Sequence, residues 1–466
     1  MRRRPLSRRS KGVGGSLHDA VLRPRDSAGR RLTKFYRTRV NTYAFRRRPR
    51  WRTAAAVVAV VAAVGAAGLT VSRCVAPKKP EQTAAVSAAP PALAPLVAPE
   101  TSRGQIDYRV LDARIQAMMA DKTMQGLAIA VVEDGRLAFV KGYGRTAPEG
   151  GEPVKAETIF RWASLSKTVA GTLSAQLAQD GVLSLTDPLG KFGTSLRLPN
   201  DAQRTLTVED LLAQRTGLPK NAYDGWLEGG RDPRLIRESL AAVPLLCPPG
   251  ACYSYQNIAY DTIREVIETA TRQPYAEEVR QRLFLPLGMT STTLGMESLQ
   301  SARHWARPSR GGRPATLVDA YYRVPAAAGV NSNILDLARW MQAQMGLAPA
   351  VLPAGLVADI QRSRVNTGRP YGNSPLGRSL ERPGYGLGMR SFTYKGHRLV
   401  GHSGAVTGYR STMMFDPAAR TGVVMLWNSE ASLPFKLQAE VFDLAYRQPF
   451  TDWLELKGDE GAAIAP

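Results

Sequence analysis

Ser164 and Lys167 stand three residues apart in Ser164-Leu165-Ser166-Lys167, at the head of an apolar stretch. On a helix this spacing puts both side chains on one face, about 5–6 Å apart at Cβ. A serine hydroxyl attacks poorly until a nearby base removes its proton. A lysine desolvated in a cleft becomes weak enough as an acid–base pair to be that base. In the first helical turn, backbone N–H donors and the helix dipole would both favour an oxyanion on the attacked carbonyl. Ser166 would point elsewhere, which leaves Ser164 as the nucleophile. A second motif, Tyr255-Gln256-Asn257, follows the turn Pro248-Pro249-Gly250. Tyr255 offers a phenol that could relay a proton to a leaving group if its pKa were lowered, as a cationic Lys167 could do. Asn257 carries donor and acceptor, suited to holding Lys167 or a substrate amide. A third motif, His402-Ser403-Gly404, sets a glycine beside a strand, where a substrate backbone could approach closely and pair by β-addition. Each motif alone has a plain alternative: a helix start with a surface lysine, a core tyrosine, a loop histidine. Three in order, each in a suitable setting, point to acyl transfer through serine.

The elements that would position these residues are legible in part. The runs GLAIAVVE at 126–133 and RLAFVKG at 136–142, joined by Asp134-Gly135, predict a β-hairpin. Helical patterns dominate the middle, at 167–179, 208–213, 258–271 and 334–345. Strand patterns return at 397–401, 409–415 and 422–427. Strands at both ends with helices between predict an α+β fold, in which the terminal strands share one antiparallel sheet and an inserted, mostly helical lobe forms a second part. This body spans residues 106–450, followed by a C-terminal tail at 451–466.

The 466 residues carry a formal net charge of +23. Residues 1–52 hold 18 Lys and Arg against two acids, so most of that excess sits in a basic, disordered tail. The tail lacks interleaved stacking aromatics on a folded surface, which argues against specific nucleic-acid binding. Residues 53–72 (TAAAVVAVVAAVGAAGLTVS) carry no charge and are just long enough to cross a bilayer. With the basic cluster before them, they predict a transmembrane signal anchor with a cytoplasmic N-terminus and a periplasmic or otherwise extracytoplasmic body, as in a single-pass protein of a bacterial inner membrane. A cleaved signal peptide is the competing reading. Residues 73–105 form a Pro/Ala-rich linker. Cys247 and Cys252 bracket a tight turn and either close a small disulfide loop or remain thiols. With four histidines and no metal-ligand spacing, neither a metal nor a cofactor is expected.

Beyond the three motifs, FRWASLSKT (160–168), TVEDLLAQRTGLP (207–219), PGACYSYQNIAY (249–260), PAAAGVNSNILDLARW (325–340), YGLGM (385–389) and GHSGAVTG (401–408) carry a family likeness. The sequence resembles the serine β-lactamase-like superfamily, in the branch of class C β-lactamases, D-alanyl-D-alanine carboxypeptidases and related esterases. The resemblance implies that Ser164 is acylated and that Lys167 and Tyr255 shuttle protons. It implies that Asn257 orients Lys167 or the substrate, and that the N–H groups of Ser164 and Ala405 form the oxyanion hole. His402 stands where the antibiotic-hydrolysing members usually carry lysine. A mostly neutral histidine is a weaker clamp for a carboxylate, so penicillin hydrolysis is disfavoured against small esters, amides or D-amino-acid peptides of the peptidoglycan type. Asp187 reads as a structural turn residue. Residues 221–242 and 303–316 are candidates to line the cleft. The alternative is a catalytically slow module on the same fold that binds cell-wall peptides or penicillin.

Overall fold

The structure, a computed structural model, describes residues 105–456. The predicted tail, anchor and most of the linker lie outside the described residues. Among the described residues no helix is long and apolar enough to cross a membrane.

Eight strands form one antiparallel sheet: β1 (Gly126–Glu133), β2 (Arg136–Gly144), β3 (Val365–Asn366), β4 (Glu381–Tyr385), β5 (Arg390–Tyr394), β6 (His397–Val406), β7 (Tyr409–Asp416) and β8 (Thr421–Trp427). Their spatial order is β2-β1-β8-β7-β6-β5-β4-β3. The first hairpin therefore pairs with the last strand, Leu127 opposite Trp427, as the strand pattern at the two chain ends predicts. Asp134 and Gly135 both take positive φ (47° and 79°), the tight mirror-image turn that suits a two-residue hairpin.

Both faces of the sheet are covered at its centre, so β1 and β8 are almost continuously apolar and their alternation sorts residues between two cores. Ala128, Ala130 and Val132 join the core under the helical lobe. Leu127, Ile129 and Val131 join the other, beneath helices α1 (Tyr108–Met119) and α5 (Leu433–Ala445). Those two helices are tied by Arg114 to Glu440, 2.8 Å. The body continues past the predicted tail boundary at 451: Leu454 is buried, and Arg114 also reaches Asp452 at 2.5 Å.

The inserted lobe runs from residue 145 to 364 and contains α2 (Ser166–Gln179), α3 (Thr262–Thr271) and α4 (Ile334–Gln342). The pattern at 258–271 becomes helical only from Thr262, after a turn in which Asp261 N–H bonds Asn257 O and Thr262 N–H bonds Ala259 O. Cys247 and Cys252 are disulfide-bonded, which closes the turn just ahead of Tyr253 and Tyr255.

Candidate active site

Ser164 lies in a short 3-10 turn, Ala163–Leu165, immediately before α2 rather than within its first α-turn. Ala163 adopts φ of 49°, a left-handed conformation that costs an alanine about 1–2 kcal/mol. The surroundings hold it there. The Trp162 carbonyl accepts from Ser411 Oγ on β7 at 2.5 Å. A Cβ on Gly404 would stand 2.1 Å from that same carbonyl oxygen. Gly404 thus lacks a side chain so that the Ser164 turn can press against β6, a different use from the substrate approach read from the sequence. Ser166 is buried, donating to Ala163 O at 2.7 Å and accepting from Val330 N–H at 3.0 Å, so its role is structural.

From α2, Lys167 enters a dry junction and is 0 % exposed. Its Nζ is 3.5 Å from Ser164 Oγ, 2.7 Å from Asn257 Oδ1 and 3.1 Å from the Ala327 carbonyl. Lys167 lies within salt-bridge distance of no carboxylate among the described residues. Burial lowers its pKa to about 7, with Asp224 and Asp261 pulling the other way. The neutral amine is therefore far more accessible near pH 7 than for an exposed lysine. Two glycines bring α2 and the YGLGM segment into backbone contact: a Cβ on Gly388 would meet Lys167 O at 2.2 Å, and one on Gly171 would meet Leu387 O at 2.1 Å.

Tyr255 lines the same cleft as Ser164, and its ring lies 4.7 Å from Lys167 Nζ. Its pKa is not lowered, as the sequence reading required. Burial pushes it up to about 12, outweighing the opposite pull of Ser164 and Arg390. Two groups held at about 7 and about 12 are a resting base and a resting acid. Asn257 orients the lysine as anticipated. Its Nδ2 donates to Asp224 Oδ2 at 2.7 Å, which fixes its amide so that Oδ1 faces Lys167. Burial raises the carboxyl of Asp224, a residue that carried no motif signal.

His402 is 3 % exposed, and both ring nitrogens are engaged within the protein. Nδ1 is 2.7 Å from the Ser403 carbonyl and so bears the proton, which leaves Nε2 to accept from the Tyr385 hydroxyl at 3.1 Å. Burial, then Arg390 and Lys167, hold its pKa well below the usual histidine value. His402 is thus a neutral spacer rather than a weak anion clamp. Lys220 and Arg369 line the cleft, and the cation set against its aromatic wall is Arg390, at the start of β5, which the motifs did not reveal. Its Nη2 donates to the Tyr253 hydroxyl at 2.9 Å, and its guanidinium lies 5.3–5.8 Å from the rings of Tyr253, Tyr255 and Tyr385. Three aromatic neighbours hold the charge in place, and no carboxylate among the described residues neutralises it. Its only sequence cue is its place directly after YGLGM.

These groups line one cleft of about 900 Å³, with Ser164, Tyr255, Asn257, Arg390, His402 and Ser403 in its wall, and Gly404 and the exposed Ala405 beside them. Strand β5 pairs with β6 only as far as Gly401, so residues 402–406 have β7 on one side and the cleft on the other. An extended substrate could add to that open edge. Asn221 and Asp224 line the cleft, whereas no residue of 303–316 does; part of that stretch forms a separate small hairpin, Ser309–Arg310 with Arg313–Pro314. Asp187 is structural, accepting from Ser184 N–H and Lys191 Nζ at 2.8 Å each. Among the described residues no group of three or more His, Cys, Asp or Glu could hold a metal ion.

Comparison with known proteins gives the family and the fold. A family model described as Beta-lactamase matches residues 111–447. Protein flp of Staphylococcus aureus (strain MW2) is 26% identical over 334 residues, covering 70% of this chain and 64% of the relative. The unguisins hydrolase ungD of Aspergillus violaceofuscus (strain CBS 115571) is 25% identical over 335 residues, covering 65% and 58%. The chain thus spans less than two thirds of the length of these curated relatives. Among solved structures, the octameric penicillin-binding protein homologue from Pyrococcus abyssi superposes with a TM-score of 0.65 at 25% identity, over 74% of this chain and 78% of the other. The D-alanine carboxypeptidase AmpC of Burkholderia cenocepacia, at 23% identity, TM-score 0.58 and coverage of 72% and 98%, shares the fold. With a family model matching residues 111–447, from within α1 to just past α5, the chain belongs to the beta-lactamase family of serine hydrolases.

Proposed function

We propose that the protein is an acyl-enzyme hydrolase whose preferred substrates are small D-amino-acid peptides ending in a free carboxylate, with simple esters and amides as weaker substrates. The observation that carries the acyl-enzyme reading is the dry Lys167 amine, 3.5 Å from Ser164 Oγ and held by Asn257. The neutral amine takes the Ser164 proton as Oγ bonds to the substrate carbonyl carbon. The N–H groups of Ser164 and Ala405 receive the oxyanion. As the scissile C–N bond breaks, the Tyr255 phenol gives its proton to the departing amine and regains one from Lys167. Water then attacks the acyl-serine, releasing the acid and restoring the hydroxyl.

The carboxylate preference is supported by Arg390. It stands in the same cleft without an acidic partner among the described residues, where His402 offers no charge. A guanidinium matches a carboxylate in shape and charge. Two solved structures of the same fold carry names of this substrate class, a D-alanine carboxypeptidase and a D-stereospecific amidohydrolase from Streptomyces sp.. Penicillins carry a carboxylate too, so the reading includes their capture by Ser164, with turnover slower than that of peptides. Attachment through residues 53–72 and action outside the cytoplasm belong to the proposal on sequence grounds alone. The test is intact mass of the full chain after incubation with excess benzylpenicillin, beside Ser164→Ala. An adduct of one penicillin on the parent and none on the variant is expected. Rapid penicillin hydrolysis with an unlabelled enzyme would reverse the peptide-over-lactam order. Unchanged ester turnover in Ser164→Ala would overturn the acyl-enzyme reading and favour the slow binding module.

A further inference from the structure

Between edge strand β3 and the short helix Pro375–Ser379, residues 367–373 run as a strap along the wall of the cleft, which Gly368 to Gly372 line. The strap is built rather than loose. Thr367 N–H bonds Pro383 O at 2.9 Å. A Cβ on Gly377 would stand 2.3 Å from the Gly372 carbonyl and 2.8 Å from that of Pro370, so this glycine lets the helix brace the strap from behind. Tyr371 sits at φ of 60°, uncommon for a bulky residue and maintained only where contacts over-determine it. Those contacts are specific. The Tyr371 hydroxyl accepts from Gln438 Nε2 on α5 at 3.0 Å. Gln438 Oε1 accepts from Thr412 Oγ1 at 3.0 Å, and Thr412 and Ser403 hydroxyls are 3.3 Å apart. The Tyr371 ring lies 6.0 Å from Phe435. Ser403 and Arg390 line the same cleft as the strap, and Thr412 and Gln438 link the Ser403 hydroxyl to that of Tyr371.

We propose that this strap closes the cleft beyond Arg390 and that Tyr371 is the specificity-determining residue that limits the leaving group to a single residue. The inference rests on the reading that Arg390 holds the carboxylate of the residue released. With that carboxylate fixed, any second residue would have to continue into the space held by the Tyr371 ring and strap backbone. The protein would then release C-terminal residues one at a time and leave internal bonds uncut.

The test uses two thioesters of one N-acyl-D-alanyl group on the full chain. In one the leaving group is mercaptoacetate; in the other it is mercaptoacetyl-glycine, longer by one residue. Released thiol is followed for the parent, Ser164→Ala, Arg390→Gln, Tyr371→Ala and Tyr371→Phe. The parent is expected to favour the short thioester by about 100-fold in kcat/KM, and Tyr371→Ala to gain about tenfold on the long one. Such a gain cannot come from a misfolded protein. Tyr371→Phe, which keeps the ring against Phe435, is expected to gain less than about threefold. Arg390→Gln should weaken the short substrate without admitting the long. If Tyr371→Ala does not fold, Tyr371→Leu carries the same expected gain. Equal turnover of both thioesters by the parent, or no gain in the folded truncation, overturns the strap alone. Absence of Ser164-dependent turnover of either thioester overturns the hydrolase reading and this inference with it.

Discussion

Replacing Asp224 by asparagine is expected to move the acid limb of the pH–rate profile to lower pH. Lys167 must be neutral to take the Ser164 proton, and its pKa of about 7 makes the rate fall about tenfold per pH unit below that value. Burial is the main cause of the depression, and the Asp224 charge opposes it by favouring the ammonium form. Two hydrogen bonds of 2.7 Å run in series through the Asn257 amide. They place the carboxylate roughly 6 Å from Nζ, where opposite charges at an effective dielectric of about 20 to 40 attract by about 1.4 to 2.8 kcal/mol. Removing that attraction lowers the lysine pKa by about 1 to 2 units. The substituted amide can still accept from Asn257 Nδ2, so the geometry survives. The assay is kcat/KM for an activated ester across the acid range. The midpoint should fall from about 7 to about 5 or 6. An unmoved limb, or one displaced upward, would refute the assignment of Lys167 as the base that Asp224 tunes.

Arg390→Gln is expected to lower kcat/KM for a carboxylate-ended peptide by roughly 10- to 100-fold, the worth of one charge-assisted contact, while an uncharged ester changes far less. Paired kinetics on the two substrates check this, and equal losses on both would refute it. Gly404→Ala forces a methyl against the Trp162 carbonyl and should cost about 1–3 kcal/mol of stability, with acylation of Ser164 slowed; thermal melts and a burst assay read the two effects. Changing Cys247 and Cys252 together to serine opens a loop with a sequence separation of 5 and should lower stability by about 2 kcal/mol, seen as a lower denaturant midpoint. Washing membranes of the producing cell at alkaline pH should leave the protein in the pellet, and its release would refute the anchor at 53–72.

What the sequence displays and what it hides divide along physical lines. The 126–144 hairpin was legible because two positive-φ residues had to be Asp-Gly and the flanks are apolar. Ser164, Lys167 and Asn257 were legible because their spacing and order survive as motifs, and all three line or border one cleft. Strands β4 and β5 were not, since both are short and polar and ERPGY is broken by Pro383 and Gly384; β5 pairs with β6, and β4 in turn with β5. Helix α5 has Pro434 near its start, where a proline suits the first helical turn. Protonation states were the least legible. Residue type alone cannot say that Tyr255 is pushed up to about 12, or that His402 spends both nitrogens on Ser403 and Tyr385. Arg390 needs Tyr253, 137 residues away in sequence, to become visible as a held cation.

The site also depends on the whole body in a way that constrains how the protein can be altered. Its floor is made of backbone pressed on backbone: Gly404 against Trp162, Gly388 against Lys167, and Gly171 against Leu387. Each contact joins the helical lobe to the C-terminal half of the chain. The left-handed Ala163 is tolerated because Ser411 and Gly404 hold the turn from the sheet side. None of these contacts can form within the lobe alone. A fragment ending before β3 would keep Ser164, Lys167 and Asn257 in its sequence, yet it would lack the surface that strains the nucleophile turn. It would also lack the Gly388 and Tyr385 contacts that help keep the junction dry. Lys167 in such a fragment would regain water, and with it the ordinary basicity of a lysine. The lowered amine pKa, and so the chemistry near neutral pH, is therefore a property of the closed sheet rather than of the motif that announces it.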